Sequence, residues 1–243
     1  MMLPLIVRIA LLLTCLVPCV QAEAIRVVTE DTSFSYQRQG RVVGPATQVV
    51  EATLARAGLS DHRIGLYPWA RAYEMALREP NVLIYLIART PEREAQFRWA
   101  GEILRVDYHL YRLPMREDIQ VGRLEQAKQY RIGALRGDVR YRYLRDEGFT
   151  KLVITVSNAD SFKLLLNGQV DLVPMSEQGV RMFCTEAGLS AGCLERVFPL
   201  NTATSLYMAY SLQTSEDVVL RTQAAFEQLQ ADGTVARLMA GQD

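Results

Sequence analysis

Seven consecutive residues, Val82 to Ala88, carry no charge and only one polar side-chain atom, the Tyr85 hydroxyl. A strand that is apolar on both of its alternating faces has to be covered on both, as in a sheet with helices on each side. The neighbouring sequence fits that setting. Ile25 to Thr29 is a short β-type run. Beyond Gly44-Pro45, Ala46, Val49, Val50, Thr53, Leu54 and Ala57 form a stripe with helical spacing, and Gly58 stands where a helix C-cap is expected. Ile64 to Tyr67 reads as a strand and Trp69 to Arg78 as a helix. Strand, helix, strand, helix, strand predicts βαβ units and a mainly parallel sheet.

The alternation then restarts. Val106 to Leu113 reads as extended, and Arg131 to Leu135, Leu152 to Val156 and Val170 to Val173 read as strands. Between them fall helices from Asp138 to Glu147, stopped by Gly148, and from Asp160 to Asn167, with Gly168 behind it. Ser205 to Ser211 is a last strand. Ser215 caps a helix with the stripe Val218, Thr222, Ala225, Phe226 and Leu229; Asp232-Gly233 ends it, and a short helix follows to Met239. Two successive α/β blocks in this length predict two lobes.

The first residues read as a leader. Arg8 precedes an apolar run from Ile9 to Val20, about a dozen residues, whereas a membrane-spanning helix needs about 20. Val20-Gln21-Ala22 places a cut after Ala22, with Ala24 as the second choice and lipidation at Cys19 as a lesser variant. Residues 1–22 are therefore expected to be a signal peptide and the mature chain to be periplasmic. That chain has 26 basic and 27 acidic residues. So even a balance argues against a nucleic-acid partner. Cys184 and Cys193 remain as a pair with eight residues between them, and in an oxidising compartment they predict a disulfide. No metal-ligand spacing is present, His62 and His109 being the only histidines.

Three motifs in order carry a family resemblance: Arg89-Thr90-Pro91-Glu92-Arg93 after the apolar strand, Gly168-Gln169-Val170-Asp171-Leu172 in the second block, and Ala231-Asp232-Gly233-Thr234 near the end. With them the chain resembles the periplasmic solute-binding proteins of the polar-amino-acid class (family 3 type), which feed ABC importers. Tyr67-Pro68-Trp69-Ala70-Arg71-Ala72 and Arg131-Ile132-Gly133 resemble one branch of small substrate-binding periplasmic proteins. The resemblance implies an α/β, two-lobed periplasmic-binding-protein-like fold (type II), each lobe a mainly parallel sheet flanked by helices. Lobe 1 would hold residues 24–107 plus 204–243 and lobe 2 residues 108–203, with crossings near Asp107–Leu110 and Asn201–Ser205. Ligand would sit between the lobes and close them by a hinge.

The same resemblance nominates site residues. Arg93 would clamp a ligand carboxylate, since a guanidinium presents paired donors to two oxygens; Arg89 is a weaker candidate for that work. The loop Gly133 to Asp138 would offer backbone N–H groups near Gly137, but Asp138 stands where a small hydroxyl residue is usual and can instead cap the following helix. Phe34, Tyr36 and Trp69 are candidates for an aromatic wall, with core packing as the alternative for each. Ser176 occupies the position of an acid that usually pairs a ligand ammonium, with Glu177 next to it, and Leu86 and Ala88 replace the usual serines. Either Glu177 takes over that pairing or the ligand is not an ordinary α-amino acid.

The expectation is a non-enzymatic protein, without catalytic residues, cofactor or metal. It would capture a small carboxylate-bearing solute, an amino acid or a related compound, for an ABC importer permease, and act as a monomer. A sensory module serving a membrane receptor and a dehydratase-like enzyme on the same fold are the alternatives.

Overall fold

A computed structural model describes residues 24–190 and 192–241. The expected leader, residues 1–22, lies outside them. In chain order the elements are β1 (Ile25–Thr29), β2 (Tyr36–Arg38), β3 (Arg41–Val43), α1 (Pro45–Arg56), β4 (His62–Leu66), α2 (Trp69–Arg78) and β5 (Val82–Ala88). Then come β6 (Phe97–Arg112), β7 (Ile132–Leu135), α3 (Val139–Asp146), β8 (Leu152–Thr155), α4 (Asn158–Leu166), β9 (Val173–Ser176) and α5 (Glu177–Glu186). β10 (Glu195–Ser211), α6 (Glu216–Ala231) and α7 (Thr234–Met239) complete the described chain. Single 3-10 segments precede β6 and β7.

One sheet runs in the order β4-β1-β5-β10-β6-β9. β1 pairs parallel with β4 and β5, as the βαβ pattern predicts. β10 is antiparallel to β5 and to β6, and β6 is antiparallel to β9. The sheet is thus mixed, where a mainly parallel one was expected. The reason is topological: β6 carries the chain from the first α/β block into the second, β10 carries it back, and two such neighbours must run in opposite directions. Both are far longer than the expected runs Val106–Leu113 and Ser205–Ser211, because each crosses both blocks. Their register breaks between Leu200, opposite Tyr108, and Thr204, opposite Val106. Three residues there face the single residue Asp107.

The second block has its own parallel pair, β7 with β8, tied to the chain entering β9 by a bridge between Ile132 and Leu172. The strand expected at Val170–Val173 begins at Val173. The Asp171 and Leu172 amides donate to the Arg131 carbonyl, and the Asp171 carboxylate receives Arg131 and Arg116, so these residues are anchored individually before the ladder starts. Those two arginines and the Arg131 amide hold the Asp171 carboxyl down at about 2.

Helices cover the sheet much as the apolar stripes predict. α2 lays Trp69, Ala72, Met75 and Ala76 on Val28, Val82, Ile84, Ile87 and Ala209. α1 packs against α6 and α7, and α6 against β6. There Gly101 lets the Phe226 ring approach the strand; a Cβ would lie 2.3 Å from it. In the second block Phe162 and Leu165 of α4 meet Val180, Phe183 and Cys184 of α5. Cys184 and Cys193 are joined as a disulfide, as expected of the paired cysteines. No helix among the described residues is long and apolar enough to cross a membrane.

Candidate functional site

The C-terminal ends of β1 and β5 point toward the second block, where an open parallel sheet commonly places its ligands. A cavity of about 60 Å³ lies there. From the first block it is lined by Glu30 and Thr32–Phe34 after β1, Trp69 at the start of α2, Leu86 and Ala88 of β5, and Arg93. From the second come Asp138–Arg140, Asn158, Met175, Ser176, Gly179 and Phe183. Val106 and Tyr108 of β6 and Leu206 of β10 form the part where the blocks join.

Several local features shape the first wall. Gly44 has φ 125°, and a Cβ on it would lie 2.5 Å from the Phe34 carbonyl oxygen. Only glycine fits there, and the same carbonyl accepts the Ala46 amide at 3.0 Å, so the start of α1 holds the Phe34 loop. Behind that loop Ser35 Oγ and Thr47 Oγ1 meet the buried Tyr85 hydroxyl at 2.9 and 2.8 Å. Leu86, in the middle of β5, has φ 63° and is skipped in the register with β10, where Tyr207 faces Ile87 and Met208 faces Tyr85. It is therefore a bulge that takes a residue out of the ladder at the cavity wall.

Arg93 is 1% exposed. Nη1 donates to the Ala88 carbonyl at 3.0 Å and Nη2 to the Gly137 carbonyl at 3.2 Å, so one side chain touches both blocks. Nε is buried with no hydrogen-bond partner among the described residues. The guanidinium carbon lies 5.4 Å from the Trp69 ring centroid and 5.0 Å from that of Tyr73. Burial lowers its pKa from the ordinary arginine value. The charge is met by carbonyl dipoles and ring faces, and among the described residues no carboxylate is bonded to it.

The opposite wall carries an internal ion pair. Asp138 caps α3: its Oδ1 accepts the Arg140 amide at 2.8 Å and Arg140 Nε at 2.6 Å. Arg140 also donates to the Pro174 carbonyl and to Asn158 Oδ1, both at 2.9 Å, and lies 4.7 Å over the Tyr108 ring. Burial raises the Tyr108 pKa. Glu30 faces this group from the end of β1. Burial and the Asp138 charge outweigh the two arginines and push the Glu30 carboxyl up to about 8.

The residues nominated from sequence separate into two sets. Phe34, Trp69, Arg93, Asp138 and Ser176 line the cavity together. Ser176 Oγ is occupied there in capping α5 through the Gly179 amide, at 3.1 Å. Gly137 stands behind the wall and offers its carbonyl to Arg93. Arg89, Tyr36 and Glu177 are placed elsewhere. Arg89 pairs with Glu94 on the surface and lies over Trp99 and Tyr207; Glu177 is exposed and paired with Arg181; Tyr36 is in the β2–β3 hairpin. The sequence reading passed over Glu30, Tyr108, Arg140 and Asn158. One signal was available for Glu30, an acid directly behind the first strand of a predicted parallel sheet. Among the described residues no group of three or more His, Cys, Asp and Glu side chains could hold a metal ion.

No family model matches the sequence, and no curated protein matches it. Solved structures share its fold. A histidine kinase sensor domain described as similar to periplasmic binding proteins has a TM-score of 0.79 at 18% identity, over 90% of this chain and 95% of that one. An ancestral arginine-binding protein bound to arginine gives 0.78 at 16% identity, over 90% and 97%. The arginine-, lysine-, histidine-binding protein ArtJ of Geobacillus stearothermophilus gives 0.77 at 15% identity, over 89% and 93%. The fold is the two-lobed, periplasmic-binding-protein-like one.

Proposed function

We propose that the protein captures a small carboxylate-bearing solute between its two lobes and presents it to an ABC importer. The observation that carries this reading is Arg93: a buried guanidinium at the junction of both blocks, held by two carbonyls and two rings and bonded to no carboxylate. A carboxylate brought to it would form charge-assisted hydrogen bonds in a poorly hydrated space. Likeness to binding proteins named for arginine supports the class of solute. We divide the lobes as residues 24–107 plus 204–243 and residues 108–203, with the hinge at the register break opposite Asp107. Export through a leader at residues 1–22 completes the proposal, and the disulfide suits a periplasmic location. The protein would act as a monomer and catalyse no reaction. A sensory role for a membrane receptor would use the same cavity, and the likeness to a sensor domain favours keeping it as the second reading.

Thermal-shift screening of amino acids, polyamines and small organic acids tests the proposal. A carboxylate-bearing compound is expected to raise the unfolding midpoint, because it binds only the native state. Arg93→Ala should weaken that compound about a hundredfold or more, the effect of removing one partner of a buried charge pair. Arg93→Lys, which keeps the charge and loses the fork, should also bind poorly while folding normally by circular dichroism. If no carboxylate-bearing compound shifts the midpoint, or both variants bind as the wild type does, the proposal is wrong.

A further inference from the structure

The charged groups around the cavity are not all paired with one another. Two guanidinium groups face it, Arg93 from the loop after β5 and Arg140 from α3. Asp138 is already committed to Arg140 through both the amide and Nε, and it neutralises that arginine. Arg140's remaining nitrogens are taken by Pro174 and Asn158. The charge left to be answered belongs to Arg93.

Glu30 is the one further acid on the cavity wall. The groups facing it are Asp138 and Arg140 on α3, Arg93 after β5, Tyr108 on β6, and Asp31 beside it. Among the described residues neither a hydrogen bond nor an ion pair joins Glu30 to Arg140, whose ion pair is with Asp138. Ionising Glu30, which is half-buried, would put a second negative charge in the field of Asp138, and there burial and like charge both favour the proton. Its carboxyl is accordingly held up at about 8, so at neutral pH it carries an O–H that can donate a hydrogen bond. Phe34, Leu86, Phe183 and Leu206 add apolar wall, beside the uncharged polar Thr32, Ser33 and Ser176.

We infer that the cavity is built for a small monoanionic acid without an ammonium group, its carboxylate on Arg93 and the Glu30 carboxyl donating a hydrogen bond to it. This rests on the carboxylate-capture reading and narrows the class of solute. One negative ligand charge answers the one uncommitted arginine. An α-amino acid would bring an ammonium to a cavity whose ionised acid, Asp138, is already neutralised by Arg140, at the cost of a poorly answered charge or of stripping the proton from Glu30.

The two kinds of solute link to protons with opposite sign. A bound anion favours the protonated Glu30, so its affinity is level from about pH 6 to 8 and then falls up to tenfold per pH unit. A bound zwitterion needs Glu30 ionised, so its affinity rises with pH over the same range.

Calorimetric titration with matched probes distinguishes them: 3-phenylpropanoate against phenylalanine, 4-methylpentanoate against leucine, and butanoate against 2-aminobutanoate. The des-amino member of a pair is expected to bind at least tenfold more tightly. Its affinity should fall above about pH 8 in the wild type, and that fall should vanish in Glu30→Gln, whose amide still donates. A preference for the amino acid, with affinity rising with pH and lost in Glu30→Gln, overturns the inference and leaves carboxylate capture standing. If neither member of any pair binds, carboxylate capture fails and the inference with it.

Discussion

Asp138 shows how much one carboxylate can organise. Its Oδ1 caps the start of α3 by accepting the Arg140 amide and at the same time neutralises the Arg140 guanidinium, with both side chains about a tenth exposed or less. Removing it uncaps a helix and leaves a buried cation without its counter-charge. Asp138→Ala is expected to cost about 3–5 kcal/mol, measured by urea denaturation. Asp138→Asn, which retains an acceptor for the amide, should cost less. A loss within the usual range for a helix cap alone, about 1 kcal/mol, would mean the ion pair contributes nothing. This cap could be foreseen, because acceptor and donor are two residues apart in the chain. The Glu30 environment could not. It depends on charges at 93, 138 and 140 that only the finished fold brings to the end of β1, and local spacing says nothing of them.

At the scale of elements, strongly periodic or wholly apolar segments were the most legible. α2 and β5 occupy the residues their patterns indicated, because a one-sided stripe or a two-sided apolar run leaves one way to be covered. The bulge at Leu86 left no trace: a left-handed φ usually announces itself as glycine, and here a leucine adopts it under the constraint of β10 on one side and the cavity on the other. The β2–β3 hairpin was likewise too short to show a period. α5 runs from the cavity wall at Ser176 to the disulfide at Cys184 and Cys193. Replacing both cysteines by serine should lower stability by roughly 2–3 kcal/mol, read from the shift in urea midpoint. Because the bridge is at the far end of α5 from Ser176, solute affinity should change little. A large loss of affinity with unchanged stability would reverse that assignment of roles.

For the molecule as a whole, the legible part was the repetition of βαβ units; the illegible part was how the two blocks are stitched. Two strands of 16 and 17 residues do this, and a buried cluster continues from Val27 and Leu83 through Leu110 to Ile132 and Leu144. If the two lobes are hinged as we propose, a bound solute draws them together. The radius of gyration from small-angle scattering should then be smaller with saturating solute than without, and equal values would count against a hinge.

The position of β10 in the sheet has another consequence. It lies between β5 and β6, and its pairing joins Phe97 to Ser211 across more than a hundred residues of chain. During synthesis the first block can form β1, β4 and β5 early, but the middle of the sheet has to wait until residue 211 has left the ribosome. Pairings of that sequence separation are slow to form. The sheet is consequently completed late, with the slot between β5 and β6 unfilled until β10 has been made. If residues 1–22 direct export, as we propose, that delay would keep the chain transportable.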